Sequence, residues 1–173
     1  PKMDQGAFLL AKITGWENLD LVTGPASIYF GGSYIGESMI QTRNVKDTLD
    51  LSMGRDAKVL VTRTKLTDYS STSFIGTKRK ESYAYEMVIK NNRQSTVEIE
   101  LLDQIPISQD SDIEVEVLEV SGGSFDPITG KVSWKYTLAP GQTQKVKIAF
   151  SVKYPKNKSL NIKQSKTRQA RMF

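Results

Sequence analysis

The sequence predicts an all-β protein, an antiparallel immunoglobulin-like β-sandwich with a smaller N-terminal β unit. Apolar and polar residues alternate through most of the second half of the chain, which is typical of strands with one face in a core and the other in water. Turn-forming residues such as Pro140-Gly141 separate these segments. No stretch of about 11 residues presents a helical apolar face, so we predict strands throughout.

The strands of the second half have the most regular pattern. Their polar positions are rich in Glu in the first two segments and in Lys in the last two, and the four segments are Val97–Leu101, Ile113–Val117, Val132–Leu138 and Val146–Val152. Pairing an acidic strand with a basic one would place opposite charges across from each other. Trp134 falls on the apolar side of its strand, and we expect it in the core.

The pattern of the first half is less regular but also indicates strands. Ala7–Ile13 is mostly apolar, and Gly31-Gly32 predicts a hairpin turn between Ala26–Phe30 and Ser33–Gly36.

Farther along the first half, Gly54 is expected to adopt a positive φ at the entry to a strand at Ala57–Leu66. Arg63 lies on the same side of that strand as Val59 and Val61. Residues 67–81 are rich in Ser, Thr, Lys and Arg, and we expect a mobile loop there.

These elements suggest three parts. Residues 1–54 form a partial small β unit packed on the main domain. Residues 55–155 form the immunoglobulin-like sandwich. Residues 156–173 form a basic C-terminal tail.

The composition excludes several classes of catalytic and metal-binding site. The chain of 173 residues contains no His and no Cys. This excludes Ser-His-Asp and Cys-His triads, disulfide scaffolds, haem ligation and thiol redox chemistry. No apolar run approaches the length of a membrane span. We expect no catalytic residue, no cofactor and no metal ion, and therefore no enzyme.

The net charge of +5 arises at the C-terminus. Residues 153–173 hold seven basic residues and no acidic one, which leaves 17 basic and 19 acidic residues in 1–152. A solvated tail explains this charge without a partner, and binding to an anionic surface is the alternative. We expect no nucleic-acid partner, because the body of the chain is not basic.

Two groups of acidic residues are candidates for a calcium site or a catalytic carboxylate pair. Four aspartates around predicted loops could bind calcium or could cap turns, and we favour caps; they are Asp103, Asp110, Asp112 and Asp126. The glutamates at Glu98, Glu100, Glu114 and Glu116 lie on polar strand faces. Glutamates there are ordinarily solvated and not a glycosidase pair.

Aromatic residues cluster around the first hairpin. Trp16 and Tyr34 are the candidate contact residues for a ligand or partner, with Tyr29 and Phe30 nearby in the sequence. An exposed aromatic platform would bind a sugar ring or a peptide. A core or interface role for Trp16 is the alternative, and we favour it.

Several ordered segments together carry a family resemblance. They include Met53-Gly54-Arg55-Asp56, Asp103-Gln104-Ile105-Pro106 and the run GKVSWKYTLAPGQTQKVKIAFSVKYPK. The chain resembles the C-terminal region of the mucoidy-inhibitor-A-like family, a domain of unknown function, over about residues 7–158. Met53 stands where leucine is expected.

The resemblance implies a bacterial secreted or envelope protein, with localisation in the periplasm or cell envelope. It also implies a preceding N-terminal β domain and a coiled coil. It implies no catalytic or ligand residues.

We therefore expect a non-catalytic binding or scaffold module. Its partners would be proteins, contacted through sheet edges and the 67–81 loop. The alternative function is a carbohydrate-binding module linked to cell-surface polysaccharide. A homodimer formed through an exposed edge strand is a further open alternative.

Overall fold

The computed structural model describes residues 4–30, 32–42 and 48–158. Gly31 of the predicted hairpin turn and residues 159–173 of the predicted tail lie outside the described residues. The described residues divide into two compact units, one formed by Gly6–Lys58 and the other by residues 59–158 together with Asp4 and Gln5. Each unit is built from antiparallel strands, which confirms the predicted all-β class. No helix in the described part is long and apolar enough to span a membrane.

Eleven strands and two short 3₁₀ helices make up the described chain. The helices are Trp16–Leu19 and Thr67–Tyr69. The strands are β1 (Gly6–Thr14), β2 (Gly24–Phe30), β3 (Ser33–Ile40), β4 (Thr48–Lys65), β5 (Thr72–Ile75), β6 (Lys78–Asn91), β7 (Val97–Gln104), β8 (Glu114–Glu119), β9 (Ser124–Phe125), β10 (Lys131–Leu138) and β11 (Thr143–Pro155).

The larger unit contains two sheets. One has the order β4-β6-β11-β8, with β5 also paired to β6, and the other has the order β7-β10-β9. Buried side chains alternate with more exposed ones through most of β6, β7 and β10, as expected for layers that share a core, whereas β11 is buried continuously from Ile148 to Val152. Trp134 is 3% exposed, which confirms its predicted place in this core. The largest fully buried apolar side chains are Met87, Ile89, Ile105, Val132, Leu138 and Ile148.

The predicted pairing of acidic with basic strands is confirmed in both sheets. Glu100 of β7 lies directly opposite Lys135 of β10. Glu114 of β8 lies opposite Lys153 of β11, and their side chains form an ion pair of 3.2 Å. Such exposed pairs contribute little to stability, but they fix which strands and which register are compatible.

The smaller unit contains the predicted hairpin. β2 and β3 pair from Gly24 with Ile40 to Phe30 with Ser33, with a register shift after Ile28. β1 lies beside β4 in the strand order. Ile28 and Leu49 are the buried apolar side chains in the described part of this unit.

Two expectations about local structure need correction. The strand expected at Ala57–Leu66 begins earlier in the chain, because β4 runs from Thr48 to Lys65 and continues through Gly54. Gly54 has a φ of 92°, so its expected positive φ is confirmed, and glycine absorbs this kink without ending the strand.

The expected loop at 67–81 is also wrong. Thr67–Tyr69 forms a 3₁₀ helix, and β5 then pairs with the start of β6 from Thr72 with Glu81 to Ile75 with Lys78. Gly76, at φ 57°, allows the tight turn that joins the two strands. β6 begins in the basic run Lys78–Lys80, whose composition does not indicate a strand.

Candidate functional site

One edge of the smaller sheet in the larger unit is mostly unpaired. β7 pairs with all of β10, from Lys131 to Leu138. On the opposite side, β9 pairs only with Val132 and Ser133. Along 134–138, no described strand pairs with that side of β10. We call this segment the open β10 edge.

Hydrogen bonds at the start of β10 establish which backbone groups face the open edge. The carbonyl of Lys131 accepts from the N–H of Asp126 on the β9 side, whereas the carbonyl of Gly130 accepts from Ile105 on the β7 side. Because backbone direction alternates along a strand, the N–H and C=O groups of Lys135 and Thr137 point toward the open edge. Both residues are exposed. The edge thus presents donors and acceptors in the spacing of a β-ladder.

A shallow cleft of about 270 Å³ lies at this edge. Residues from β10 and from the segment leading into β9 line it: Gly122, Ser124, Ser133, Trp134, Lys135 and Tyr136. Trp134 is fixed because its indole N–H donates to the carbonyl of Val120 at 2.8 Å. A Cβ on Gly123 would lie 2.5 Å from Trp134 Nε1, so glycine is required for the approach. The Trp134 ring is therefore held at the cleft by its bond to Val120 and its packing against Gly123.

A buried ion pair joins the two sheets. Arg63 Nε of β4 lies 2.8 Å from Asp103 Oδ2 of β7, and the Asp103 side chain is fully buried. The guanidinium of Arg63 also lies 3.6 Å from the ring centroid of Tyr85, where it is attracted to the aromatic face. Arg63 was expected on this side of its strand, but its partner 40 residues away could not be predicted. This arrangement is structural.

A second charged cluster surrounds Glu81 on β6. Tyr83 and Tyr154 both donate their hydroxyls to its carboxylate. Arg79 Nε lies 2.8 Å from Glu81 Oε1, although its N–H is not directed at that oxygen. Burial raises the pKa of Glu81, but the two hydroxyls and the charges of Arg79 and Lys65 outweigh burial and leave the pKa below its usual value. Burial and the bond to Glu81 raise the pKa of Tyr83 and Tyr154.

The Glu81 cluster predicts acid sensitivity. A carboxyl whose pKa is lowered by folding stabilises the fold above its unfolded pKa, near 4.5, and loses that contribution as pH falls through its folded value. We expect Glu81→Gln to have a lower free energy of unfolding than the wild type at pH 7. The difference between the two proteins should become smaller below pH 4. Urea unfolding at several pH values measures this. An equal gap at every pH would contradict it.

The structure places the two predicted contact residues in the smaller unit. Trp16 opens the first 3₁₀ helix and is half-buried. Tyr34 is 55% exposed on β3, and its ring packs edge-on against Tyr29, with centroids 5.5 Å apart. Tyr29 is itself 66% exposed. Strand pairing in the hairpin therefore places Tyr34 opposite Tyr29. Their positions on either side of the predicted turn were the sequence feature that could have indicated this contact.

The four aspartates considered as calcium ligands all have side-chain or backbone partners within the chain. Asp103 pairs with Arg63, and Asp110 and Asp112 both accept from Lys158. Asp126 accepts from the Ile128 N–H and the Thr129 hydroxyl. Among the residues described, no group of three or more acidic side chains is arranged to hold a metal ion.

Known proteins match the chain as follows. A family model described as a domain of unknown function, DUF4139, matches residues 10–156. Protein F37C4.5 of Caenorhabditis elegans is 26% identical over 170 residues, which covers 90% of this chain but 30% of that protein. The chain thus spans about a third of this relative's length. No solved structure matches. Because the family model covers most of the chain, the chain belongs to the DUF4139 family.

Proposed function

We propose that this domain is a non-catalytic protein-binding module that receives an extended segment of a partner at the open β10 edge. The observation that carries the proposal is the ladder of unpaired backbone groups at Lys135 and Thr137, beside the cleft at Trp134. Strand addition uses such groups for affinity and neighbouring side-chain pockets for specificity. Because β9 pairs only with Val132 and Ser133, no described strand continues its line along 134–138.

The two sides of β10 differ in how many of their backbone groups have a partner strand. β7 covers one side completely, so its backbone groups are satisfied. On the other side, no described strand pairs with the N–H and C=O groups of Lys135 and Thr137, and these groups would exchange solvent for an incoming strand. Each replaced hydrogen bond contributes only about 1 kcal/mol, so backbone bonds must act together with side-chain contacts in the cleft.

Thr137→Pro tests this proposal because proline removes one N–H donor from the open edge and leaves the β7 ladder intact. Thr137→Val is the matched control, since it keeps the N–H. A displayed peptide library is selected on the wild-type chain, and selected peptides are then titrated against all three proteins. We expect tenfold or greater weakening with Thr137→Pro, in the range of one lost bond plus a steric clash, about 1.4 kcal/mol or more.

The control measurement is thermal unfolding, which should show that Thr137→Pro remains folded. Peptides that bind Thr137→Pro and wild type equally would contradict the proposal. Loss of binding with Thr137→Val as well would assign recognition to the threonine side chain instead of the backbone.

A carbohydrate-binding function is the second candidate, and the exposed Tyr29–Tyr34 pair favours it. Aromatic faces stack on the apolar faces of sugar rings. Trp16, in the 3₁₀ helix Trp16–Leu19, is the other residue predicted for this function. Glycan-array binding that is lost with Tyr34→Ala and retained with Thr137→Pro would support this function. Binding unchanged by Tyr34→Ala would exclude the predicted residue.

We further propose that the chain belongs to the mucoidy-inhibitor-A-like group and acts in a bacterial envelope. The segments that support this are Met53-Gly54-Arg55-Asp56 and Asp103-Gln104-Ile105-Pro106. The ion pair of Asp103 with Arg63 gives the second segment a structural role. Fractionation of cells that express the full-length parent protein tests the location, and recovery in the cytosol alone would contradict it.

A further inference from the structure

We infer that the segment received at the open β10 edge is acidic, with Glu or Asp at alternate positions and apolar residues between them. This inference rests on the proposed function and names the chemistry of the partner. It depends on the charges that β10 presents and on what lies on each of its faces.

The polar face of this sheet carries charge in rows. Glu98 and Glu100 project from β7 on the same face, and Lys135 projects from β10 directly opposite Glu100, since successive side chains at period two share a face. A strand added beyond β10 would form the next row. An acidic residue opposite Lys135 would continue the alternation, whereas a basic residue would face Lys135 directly and be repelled.

Lys135 is exposed, and although Glu100 lies opposite it in the register, the Lys135 side chain forms no ion pair within the described part of the chain. The lysines of the other sheet differ, because several are already paired with carboxylates: Lys78, Lys80, Lys147 and Lys153. The Lys135 ammonium thus remains available. An incoming carboxylate opposite it would have its Cβ about 5 Å away.

The opposite face of the incoming strand needs apolar residues. Trp134, Tyr136 and Leu138 project from β10 on that side, and Trp134 and Leu138 are buried. Tyr136 is half-buried and lines the cleft with Trp134. A side chain placed beside Tyr136 would therefore be largely removed from water, which favours an apolar residue. Together the two faces specify an alternating acidic and apolar sequence.

Charge argues against two other occupants. Residues 159–173 of this chain hold basic residues and no acidic one, so they lack the required carboxylates. Symmetric antiparallel pairing of the open β10 edge with a second copy would bring the Lys135 side chains of both chains close to each other. Both arrangements would bring like charges together.

Three synthetic peptides of about eight residues test the inference. All alternate valine with a polar residue, which is glutamate in the first, lysine in the second and glutamine in the third. Fluorescence anisotropy with labelled peptides is measured on the wild-type chain, Thr137→Pro, Thr137→Val and Lys135→Glu. Two salt concentrations are used, because exposed charge pairs weaken as salt rises.

We expect the glutamate peptide to bind wild type at least threefold more tightly than the glutamine peptide, and the lysine peptide to bind most weakly. Lys135→Glu should reverse the order of the glutamate and lysine peptides. High salt should reduce the preference, and Thr137→Pro should weaken binding of every peptide.

The outcomes separate the two proposals. Equal binding of all three peptides, still weakened by Thr137→Pro, overturns the acidic preference and leaves strand addition in place. Binding that Thr137→Pro does not weaken overturns both, as does no binding to the wild-type chain. Self-association of wild type that Thr137→Pro abolishes, with no peptide bound, identifies a second copy as the occupant and also overturns the acidic segment.

Discussion

Gly130→Ala is expected to destabilise the larger unit by about 3–5 kcal/mol. Gly130 has a φ of 71°, a conformation that costs alanine energy. A Cβ there would also lie 2.2 Å from the carbonyl oxygen of Ile105. That oxygen is backbone, and Ile105 donates its own N–H to the Gly130 carbonyl at 2.9 Å. The clash can be relieved only by separating the ends of β7 and β10.

Gly141→Ala is the matched control for Gly130→Ala. Gly141 has a φ of 74°, but nothing lies within 4 Å of the position its Cβ would take. We expect Gly141→Ala to lower the free energy of unfolding only by the cost of a positive φ at alanine, about 1–2 kcal/mol. Denaturant unfolding followed by tryptophan fluorescence measures both variants, since Trp134 lies in the affected core. Equal losses in the two variants would show that the contact with Ile105 contributes nothing.

The predictions from sequence succeeded where structure depends on local pattern. Alternation around Trp134 established its strand and its buried side, and the hairpin around Gly32 followed from turn chemistry. These signals lie within a few residues of the element that they specify. The same locality explains the failure at 67–81, where polar composition outweighed the short β5 and its two-residue turn.

The candidate site could not be predicted because it depends on one side of β10 having no partner strand among the described residues. The sequence of β10 indicates a strand but does not indicate that β9 ends after two residues. An open edge is a property of the sheet order, and sheet order depends on contacts between distant segments. Tyr34 and Tyr29 were near enough in sequence to be grouped around the predicted hairpin, but the contact between their rings follows from the strand register.

Arg63→Met is expected to cost about 3–5 kcal/mol, because it leaves the Asp103 carboxylate buried without its counter-charge. The Gln104 N–H donates to Asp103 Oδ1 at 2.7 Å, but one neutral donor cannot replace a guanidinium. Arg63→Lys restores the charge without the planar group that lies over Tyr85. We expect a smaller loss for Arg63→Lys, about 1–2 kcal/mol.

The double variant Arg63→Met with Asp103→Asn identifies the cause. If the uncompensated charge dominates, removing it will recover at least about 1 kcal/mol relative to Arg63→Met alone, because asparagine is cheaper to bury and still accepts from Gln104. Urea unfolding of the wild type, both single variants and the double variant provides the thermodynamic cycle. Additive losses would mean that the guanidinium stabilises the sheets through Tyr85 and packing. A non-additive recovery would establish that Arg63 is retained between the sheets to neutralise Asp103.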